Sequence, residues 1–293
     1  MSVKIKRALV LVNPISGKGR GREVAGRLGA AFEQNGLEAE IIVLPGPGSV
    51  AALVRDSAPD HQAVVAVGGD GTVNEVAEAL LTLGPDMVLG VVPLGLSNCL
   101  ARVLGLPLAL EKAVGVMARG RTKRLDLAWA GDHLIAAFLG AGFDAAVVEK
   151  VARTRHGGVH NRDYIRAAGP VFFSSTRPEI RVEVDGRLVE GHCFQVILSA
   201  IGNYARYFRL ADRPGFTAYL FKGSRPKGLV RALAGLGPGR NLGRACDLAL
   251  PVTKTLSLTA KKGRPLFQVD GEARGPLPVD CRVSPEALEV LVP

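Results

Sequence analysis

Residues 64–76 read Val-Val-Ala-Val-Gly-Gly-Asp-Gly-Thr-Val-Asn-Glu-Val, and no other stretch of the 293-residue chain constrains its chemistry so tightly. The run Val64 to Val67 has the pattern of a buried parallel strand. Gly68, Gly69 and Gly71 then let the backbone bend more sharply than residues carrying a Cβ allow. A helix opening near Thr72 adds unpaired amides, so the turn forms a positive concavity suited to phosphate oxygens. Asp70 in that concavity repels phosphate unless a divalent cation lies between them or its role is to receive a proton. The combination points to Mg2+-nucleotide chemistry. The competing reading is a tight strand-to-helix turn with Asp70 and Thr72 as caps.

Three more segments bear on this choice. Asn13-Pro14-Ile15-Ser16-Gly17-Lys18-Gly19 follows the apolar run Ala8 to Val12, Pro93-Leu94-Gly95-Leu96-Ser97-Asn98 follows Met87 to Val92, and Gln268-Val269-Asp270-Gly271-Glu272 lies near the C-terminus. With GGDGTVNEV, these segments resemble the NPxSG, PxGTxN and VDGE motifs of the diacylglycerol kinase catalytic family, which includes bacterial lipid kinases and sphingosine kinases. The matches span most of the chain in the family's order. The resemblance implies an ATP-dependent, Mg2+-requiring lipid kinase. Its nucleotide would be cradled by Asn13, Ser16, Gly17, Gly68, Gly69, Gly71, Thr72, Gly95, Ser97 and Asn98, with Asn74 and Glu75 toward the ribose or base. It also implies Asp270 as general base, Asp70 and Glu272 as catalytic acids, and Asp70 with Asp126 as metal ligands. On its own, Asp270-Gly271 reads as a hairpin turn.

Departures from the family pattern bear on mechanism. Leu96 stands where the family has threonine, leaving Ser97 as an imperfect substitute, and Cys99 stands where many members have aspartate. Gly202-Asn203-Tyr204-Ala205-Arg206-Tyr207 resembles the family's GNxxxYGG region. The Asp-Asp-Gly segment that follows in the family, and holds a structural metal in several bacterial members, is replaced by Pro214 to Tyr219, so that metal is not expected. Lys18 and Arg20 do not form GxxxxGK[ST], so the lysine geometry of that motif is not expected either. His156 and His160 are four apart, but Gly157 and Gly158 weaken any helix that would align them as ligands. Trp129 reads as packing.

The elements that must position these loops follow from periodicity. Strands at 8–12, 39–44, 63–67 and 87–92 alternate with helices at 20–35, 48–56 and 72–82, the pattern of a parallel sheet covered by helices with ligands at its carboxyl ends. After Asp126 come short β runs at 181–184, 195–200, 217–221 and 255–260, separated by Asp-Gly and Pro-Gly turns, which read as a β-sandwich or curled sheet. The expected organisation is an α/β nucleotide domain over residues 1–125, rejoined by a strand at 284–293, and a β-rich lipid domain over 126–283. The resemblance implies the same plan, with a first domain like that of NAD kinases and phosphofructokinases and a cleft between the two.

A hydrophobic fraction of 47% supplies enough apolar material for two cores. Cys99, Cys193, Cys246 and Cys281 form no ligand or disulfide spacing. The first apolar run is too short for a signal-peptide core, and the stretch from Leu134 to Val148 is broken by Asp144 and too short to cross a bilayer. A cytoplasmic enzyme is expected. Residues 1–150 hold 15 basic and 15 acidic side chains, whereas residues 151–293 hold 22 and 12, so the whole net charge of +10 lies in the second half. That asymmetry suits a polyanionic partner, either anionic headgroups of a membrane contacted peripherally or nucleic acid, and equally an ordinary solvated basic surface. Lys222, Arg225, Lys227, Arg231, Arg240 and Arg244 around Leu229, Val230, Leu233 and Leu236 suit a helix lying on lipid, or one buried in its own domain. No nucleic-acid-binding motif is present.

Two other activities fit parts of the pattern: a soluble-substrate kinase related to NAD kinase, which shares GGDGT, and a catalytically weakened lipid-binding protein, suggested by Leu96 and Cys99. The sequence leaves the acceptor lipid and the oligomeric state open.

Overall fold

The computed structural model describes residues 3–84, 87–95, 98–135, 137–154, 161–173, 178–200, 203–204, 208–210, 215–223, 240–241 and 246–293. For Lys18, Asn161, Arg162, Ile165, Asn203, Phe208, Arg240 and Asn241 it describes the backbone alone. Leu96, Ser97, His156, His160, Gly202, Ala205 to Tyr207, Pro214 and the basic segment 224–239 with Arg244 lie outside the described residues.

The chain divides into two compact units, residues 1–127 with 286–293, and residues 128–285. Both junctions fall inside strands. No turn or linker marks them, which is why the sequence boundaries at 125 and 283 differ from these by two residues.

The first unit contains β1 (Arg7–Val12), α1 (Ser16–Gly19), α2 (Gly21–Gln34), β2 (Glu38–Val43), α3 (Val50–Ser57), β3 (Ala63–Gly68), α4 (Asp70–Leu83), β4 (Val88–Pro93), α5 (Cys99–Val103) and α6 (Leu110–Ala118). The chain leaves it within β5 (Thr122–Ala130). The four strands and three helices expected over residues 1–92 are present, each end within two residues, whereas the strand expected at 284–293 already begins at Val279. Its strands run parallel in the order β4-β3-β1-β2. Ala8, Val10, Val12, Val65, Val67 and Val92 pack with Leu28 and Phe32 of α2 and Val114 and Met117 of α6. Strand alternation turns Leu9, Leu11, Val64, Ala66 and Leu89 to the opposite face, where they are equally buried. Burial of both faces is what makes these strands near-continuous Val/Leu/Ala runs.

The second unit contains β6 (His133–Ile135), β7 (Phe138–Gly142), α7 (Phe143–Thr154), α8 (Asn161–Phe173), β8 (Glu179–Val184), β9 (Arg187–Leu188), β10 (Cys193–Ser199), β11 (Asn203–Tyr204), β12 (Phe208–Arg209), β13 (Thr217–Lys222), β14 (Arg240–Asn241), β15 (Leu248–Pro251), β16 (Thr255–Lys262), β17 (Leu266–Val269) and β18 (Glu272–Pro276). The last strand, β19 (Val279–Leu291), carries the chain back into the first unit, where Glu289 and Val290 pair in parallel with Val88 and Leu89. The second unit is antiparallel and strand-rich, ordered β18-β17-β7-β10-β8-β16-β19, with β13 and β15 continuing from β10. Ile180, Val182, Val196, Leu198, Leu220, Leu256 and Leu258 form its core.

Helices α7 and α8 were not expected from sequence. The apolar stretch 134–148 reads as one run, but Gly142, at φ +103, ends β7 and starts α7 there. Val147 and Val151 then form the helical stripe buried against Ala167 of α8.

The β8–β9 hairpin turns at Asp185-Gly186, with φ +49 and +78. These positive values are the type I′ conformation that favours Asp-Gly. The Asp185 carboxylate accepts bonds from the Thr253 amide and hydroxyl (3.0 and 2.7 Å) and from the amides of Lys254 and Thr255 (2.8 and 2.9 Å). Its slight burial raises the pKa, but the Thr255, Thr253 and Lys254 donors outweigh that and hold it at about 2. A lowered carboxylate pKa adds stability that is present above the unfolded-state pKa of roughly 4 and is lost as pH falls toward 2. Asp185→Ala should therefore melt below wild type at neutral pH, and the gap should narrow between about pH 4 and 2 in parallel thermal scans, down to the pH-independent strain of alanine at φ +49.

Candidate active site

In the first unit, the chain runs from β1 to β2 on one side and then crosses to β3 on the other, so β1 and β3 flank the point where strand order reverses. Ligands of open α/β sheets bind outside the carboxyl ends of the strands at that point. The loops after β1, β3 and β4 meet there, and their contacts explain the residue types.

Asn13, just past β1, donates its amide N–H to the Val67 carbonyl (3.0 Å) and its side-chain Nδ2 to Thr72 Oγ1 (2.8 Å), while its Oδ1 accepts the Ile15 N–H (3.1 Å). One asparagine thus ties the first loop to the start of α4. Thr72 lies over Gly68 so closely that a Cβ there would sit 2.5 Å from Thr72 Oγ1. Gly69 and Gly95 touch backbone to backbone, and a Cβ on Gly95 would lie 2.5 Å from the Gly69 Cα. Gly17, at φ +63, leans on the same region, with its would-be Cβ 3.2 Å from the Leu94 carbonyl. The glycines permit an approach of three backbones that side chains would prevent.

Asn98 holds the third loop in a left-handed conformation (φ +48) and donates Nδ2 to the Gly95 carbonyl (2.7 Å). Its Oδ1 is buried without a partner among the described residues. Asp70, in the first turn of α4, directs its carboxylate onto the start of α5, accepting the Cys99 N–H at 2.5 Å. Burial raises its pKa, and bonds from the amides of Cys99, Asn98, Asp70 itself and Leu100 oppose the rise. Asp70 therefore couples the β3 and β4 loops, a tie that sequence reading did not foresee. Asn74 is half-buried, whereas Gly71 and Glu75 face solvent. The Glu75 pKa is raised by partial burial and by the charge of Glu78.

Asp126 is half-buried on β5, and its Oδ1 accepts the Glu286 N–H at 2.9 Å. No group of three or more His, Cys, Asp or Glu side chains gathers as a metal nest among the described residues. A magnesium ion arriving with a nucleotide requires only one or two carboxylates, and Asp70 beside the glycine turn fits that smaller demand.

Within the second unit, Asp270 and Gly271 form the β17–β18 turn with φ +50 and +90, the conformation of the Asp185 turn repeated. Asp270 Oδ1 accepts the N–H groups of Ala137 (3.0 Å) and Phe138 (2.9 Å), and its own N–H donates to the Phe138 carbonyl (3.0 Å). The hairpin role read from Asp-Gly is present. Glu272, two residues on, is exposed and pairs with Arg274 at 2.9 Å.

The same unit holds a buried polar cluster that sequence reading missed. Asp144, at the start of α7, accepts bonds from Gln195 Nε2 (2.7 Å) and the Ala145 N–H (2.7 Å) on Oδ1, and from Gln268 Nε2 (3.1 Å) and the Tyr204 hydroxyl on Oδ2. Burial pushes its pKa up, against the pull of the Tyr204, Gln195, Gln268 and Ala145 donors. Burial and the Asp144 charge push Tyr204 well above its usual range, so it keeps its proton to donate. Phe138 packs edge-on against the Tyr204 ring at 4.8 Å. A break in the apolar run at Asp144 was one visible signal, and Tyr204 and Gln268 stood inside the GNxxxYGG- and VDGE-like segments.

Comparison with known proteins agrees with the first unit's geometry. Residues 7–130 match the diacylglycerol kinase catalytic domain. These residues belong to the diacylglycerol kinase catalytic-domain family. It is 27% identical to a diacylglycerol kinase of Bacillus subtilis (strain 168) over 210 residues, covering 71% of this chain and 69% of that one. To a diacylglycerol kinase of Staphylococcus carnosus (strain TM300) it is 23% identical over 294 residues, covering 98% and 95%. A crystal structure of a diacylglycerol kinase from Bacillus anthracis str. Sterne superposes with a TM-score of 0.76 at 17% identity, covering 99% of this chain and 98% of that one. At that identity the likeness shows a shared fold.

Proposed function

We propose that this family member transfers the γ-phosphoryl group of ATP to a hydroxyl of diacylglycerol or a related lipid. The observation that carries the reading is the direct Gly69–Gly95 contact, with Asn13 and Asp70 tying together three loops at the strand-order reversal. Backbone amides brought so close form a preorganised cradle for phosphate oxygens, where positioning and charge compensation supply most of the rate in phosphoryl transfer.

In this reading the loops at Asn13 to Gly17, Gly68 to Thr72 and Gly95 to Asn98 hold the nucleotide. Asp70 and Asp126 would hold the magnesium that accompanies ATP, and that ion would supply charge neutralisation on the phosphates. Asp270 accepts the acceptor hydroxyl's proton as the oxygen attacks phosphorus, a role supported by the VDGE resemblance, with Glu272 beside it. The basic excess of residues 151–293 favours action at an anionic membrane surface. No helix among the described residues is long and apolar enough to cross a membrane.

Incubation with γ-labelled ATP, Mg2+ and a panel of diacylglycerol, monoacylglycerol, ceramide, sphingoid base and NAD tests this directly. Labelled lipid is the expected product. Label in NADP would replace the reading with an NAD-kinase-like one, and lipid binding without transfer would replace it with a binding role.

A further inference from the structure

We propose that Asp144 is a positioning residue that sets the Asp270 turn by dictating which end of the Gln268 amide faces it. This rests on the assignment of Asp270 as the base.

A primary amide has a donor end and an acceptor end, whereas a carboxylate whose two oxygens already take bonds from Gln195, Ala145 and Tyr204 offers Gln268 an acceptor. Asp144 Oδ2 faces Gln268 at 3.1 Å and therefore selects the Nε2 end. The opposite end, Oε1, is left to accept the Gly271 N–H at 2.8 Å. Gly271 is the second residue of the turn whose first residue, Asp270, takes the Ala137 and Phe138 amides on its Oδ1. The acceptor role of Asp144 is thus relayed, through one reversible amide, into the geometry of the turn. Gln268 is 1% exposed, so no water is at hand to replace a lost partner. The space at the centre is held open by Gly140, whose Cβ would overlap both Asp144 Oδ2 and Gln268 Nε2. Gln195 fixes the other side of Asp144, with Nε2 on Oδ1 and Oε1 accepting the Asp144 N–H at 2.9 Å. This bracket keeps Oδ2 aimed at Gln268.

The relay predicts a specific failure and a specific repair. In Asp144→Asn, Oδ1 stays an acceptor for Gln195 and Ala145, so the new NH2 group lies toward Gln268 and toward the Tyr204 hydroxyl, which must turn to accept from it. Gln268 must then turn its oxygen to that group and its own NH2 to the Gly271 N–H, setting donor against donor. Adding Gln268→Glu restores both bonds, because a carboxylate accepts from the introduced NH2 group on one oxygen and from the Gly271 N–H on the other. Gln268→Glu alone places two carboxylates together and should be impaired by itself.

The test measures amide hydrogen exchange over 268–272 together with steady-state kinetics in the four proteins of this cycle. Asp144→Asn should exchange faster at Gly271 and lose about 10- to 100-fold in kcat, the cost of slight misplacement of a reacting group. KM for ATP should not change. The double variant should recover both slow exchange and most of the lost kcat. Wild-type exchange in Asp144→Asn, or a double variant no better than the worse single, overturns the relay. Exchange that follows the cycle while kcat does not overturns the positioning role. If the wild-type protein phosphorylates no lipid, the kinase reading falls, and the exchange cycle still decides the relay.

Discussion

Replacing Asp270 by Asn is expected to lower kcat for lipid phosphorylation by about 10²- to 10⁴-fold, the range over which a positioned general base contributes. The substitution is nearly silent for structure. Asparagine keeps an Oδ1 to accept the Ala137 and Phe138 amides, and it tolerates the left-handed backbone at φ +50 better than any residue but glycine and aspartate. Melting temperature and ATP affinity should therefore match wild type, so a lost rate reports chemistry rather than unfolding. Titration calorimetry with ATP and a thermal scan on the same preparation make the comparison. A variant with unchanged kcat would leave Asp270 as a turn residue only, like Asp185.

The second large effect is expected at Gly95→Ala. A methyl there meets the Gly69 Cα at 2.5 Å and Asn98 Oδ1 at 2.8 Å, and the first of these is backbone that no rotamer change can move aside. The β3 and β4 loops must separate, at an overpacking cost of about 1–3 kcal/mol. Because that separation opens the proposed phosphate cradle, ATP affinity should fall by tenfold or more, on the order of 1.4 kcal/mol per decade. Gly71→Ala is the contrasting case. Nothing lies within 4 Å of its would-be Cβ, and it sits in α4, so the methyl should cost the fold no stability. Equal losses of ATP affinity and stability in the two variants would show that glycine at 95 is not needed for close approach.

The first unit was legible because each signal was local. A strand buried on both faces has to be a run of apolar residues, as Val64 to Val67 are, and a phosphate-type turn has to be glycine-rich within a few residues of its strand. Even so, the motif left Asp70 with three readings, metal acid, proton acceptor or helix cap, and the structure adds a fourth task. Its carboxylate spans to the Cys99 amide, 29 residues away, a contact that no spacing rule encodes. Asp126 is likewise bonded to the amide of Glu286, 160 residues on.

The second unit was less legible for a related reason. Asp144, Gln195, Tyr204 and Gln268 come from four separate segments and become neighbours only when α7, β10, β11 and β17 assemble. Asp144 and Gln195 alone resemble ordinary polar residues in apolar runs. Helix α7 was hidden because Gly142 divides one apolar stretch into two geometries, and Ala145, Val147 and Val151 are too few to outweigh the β pattern before them.

The two passages of chain, in β5 and β19, have an evolutionary corollary. Residues 128–285 sit as one inserted cassette inside a host whose closing segment, 286–293, is encoded only after it. A single recombination break cannot transplant the host intact, since its edge beside Val88 and Leu89 would stay behind. The cassette, by contrast, has both its ends in neighbouring host strands and can be exchanged as a block.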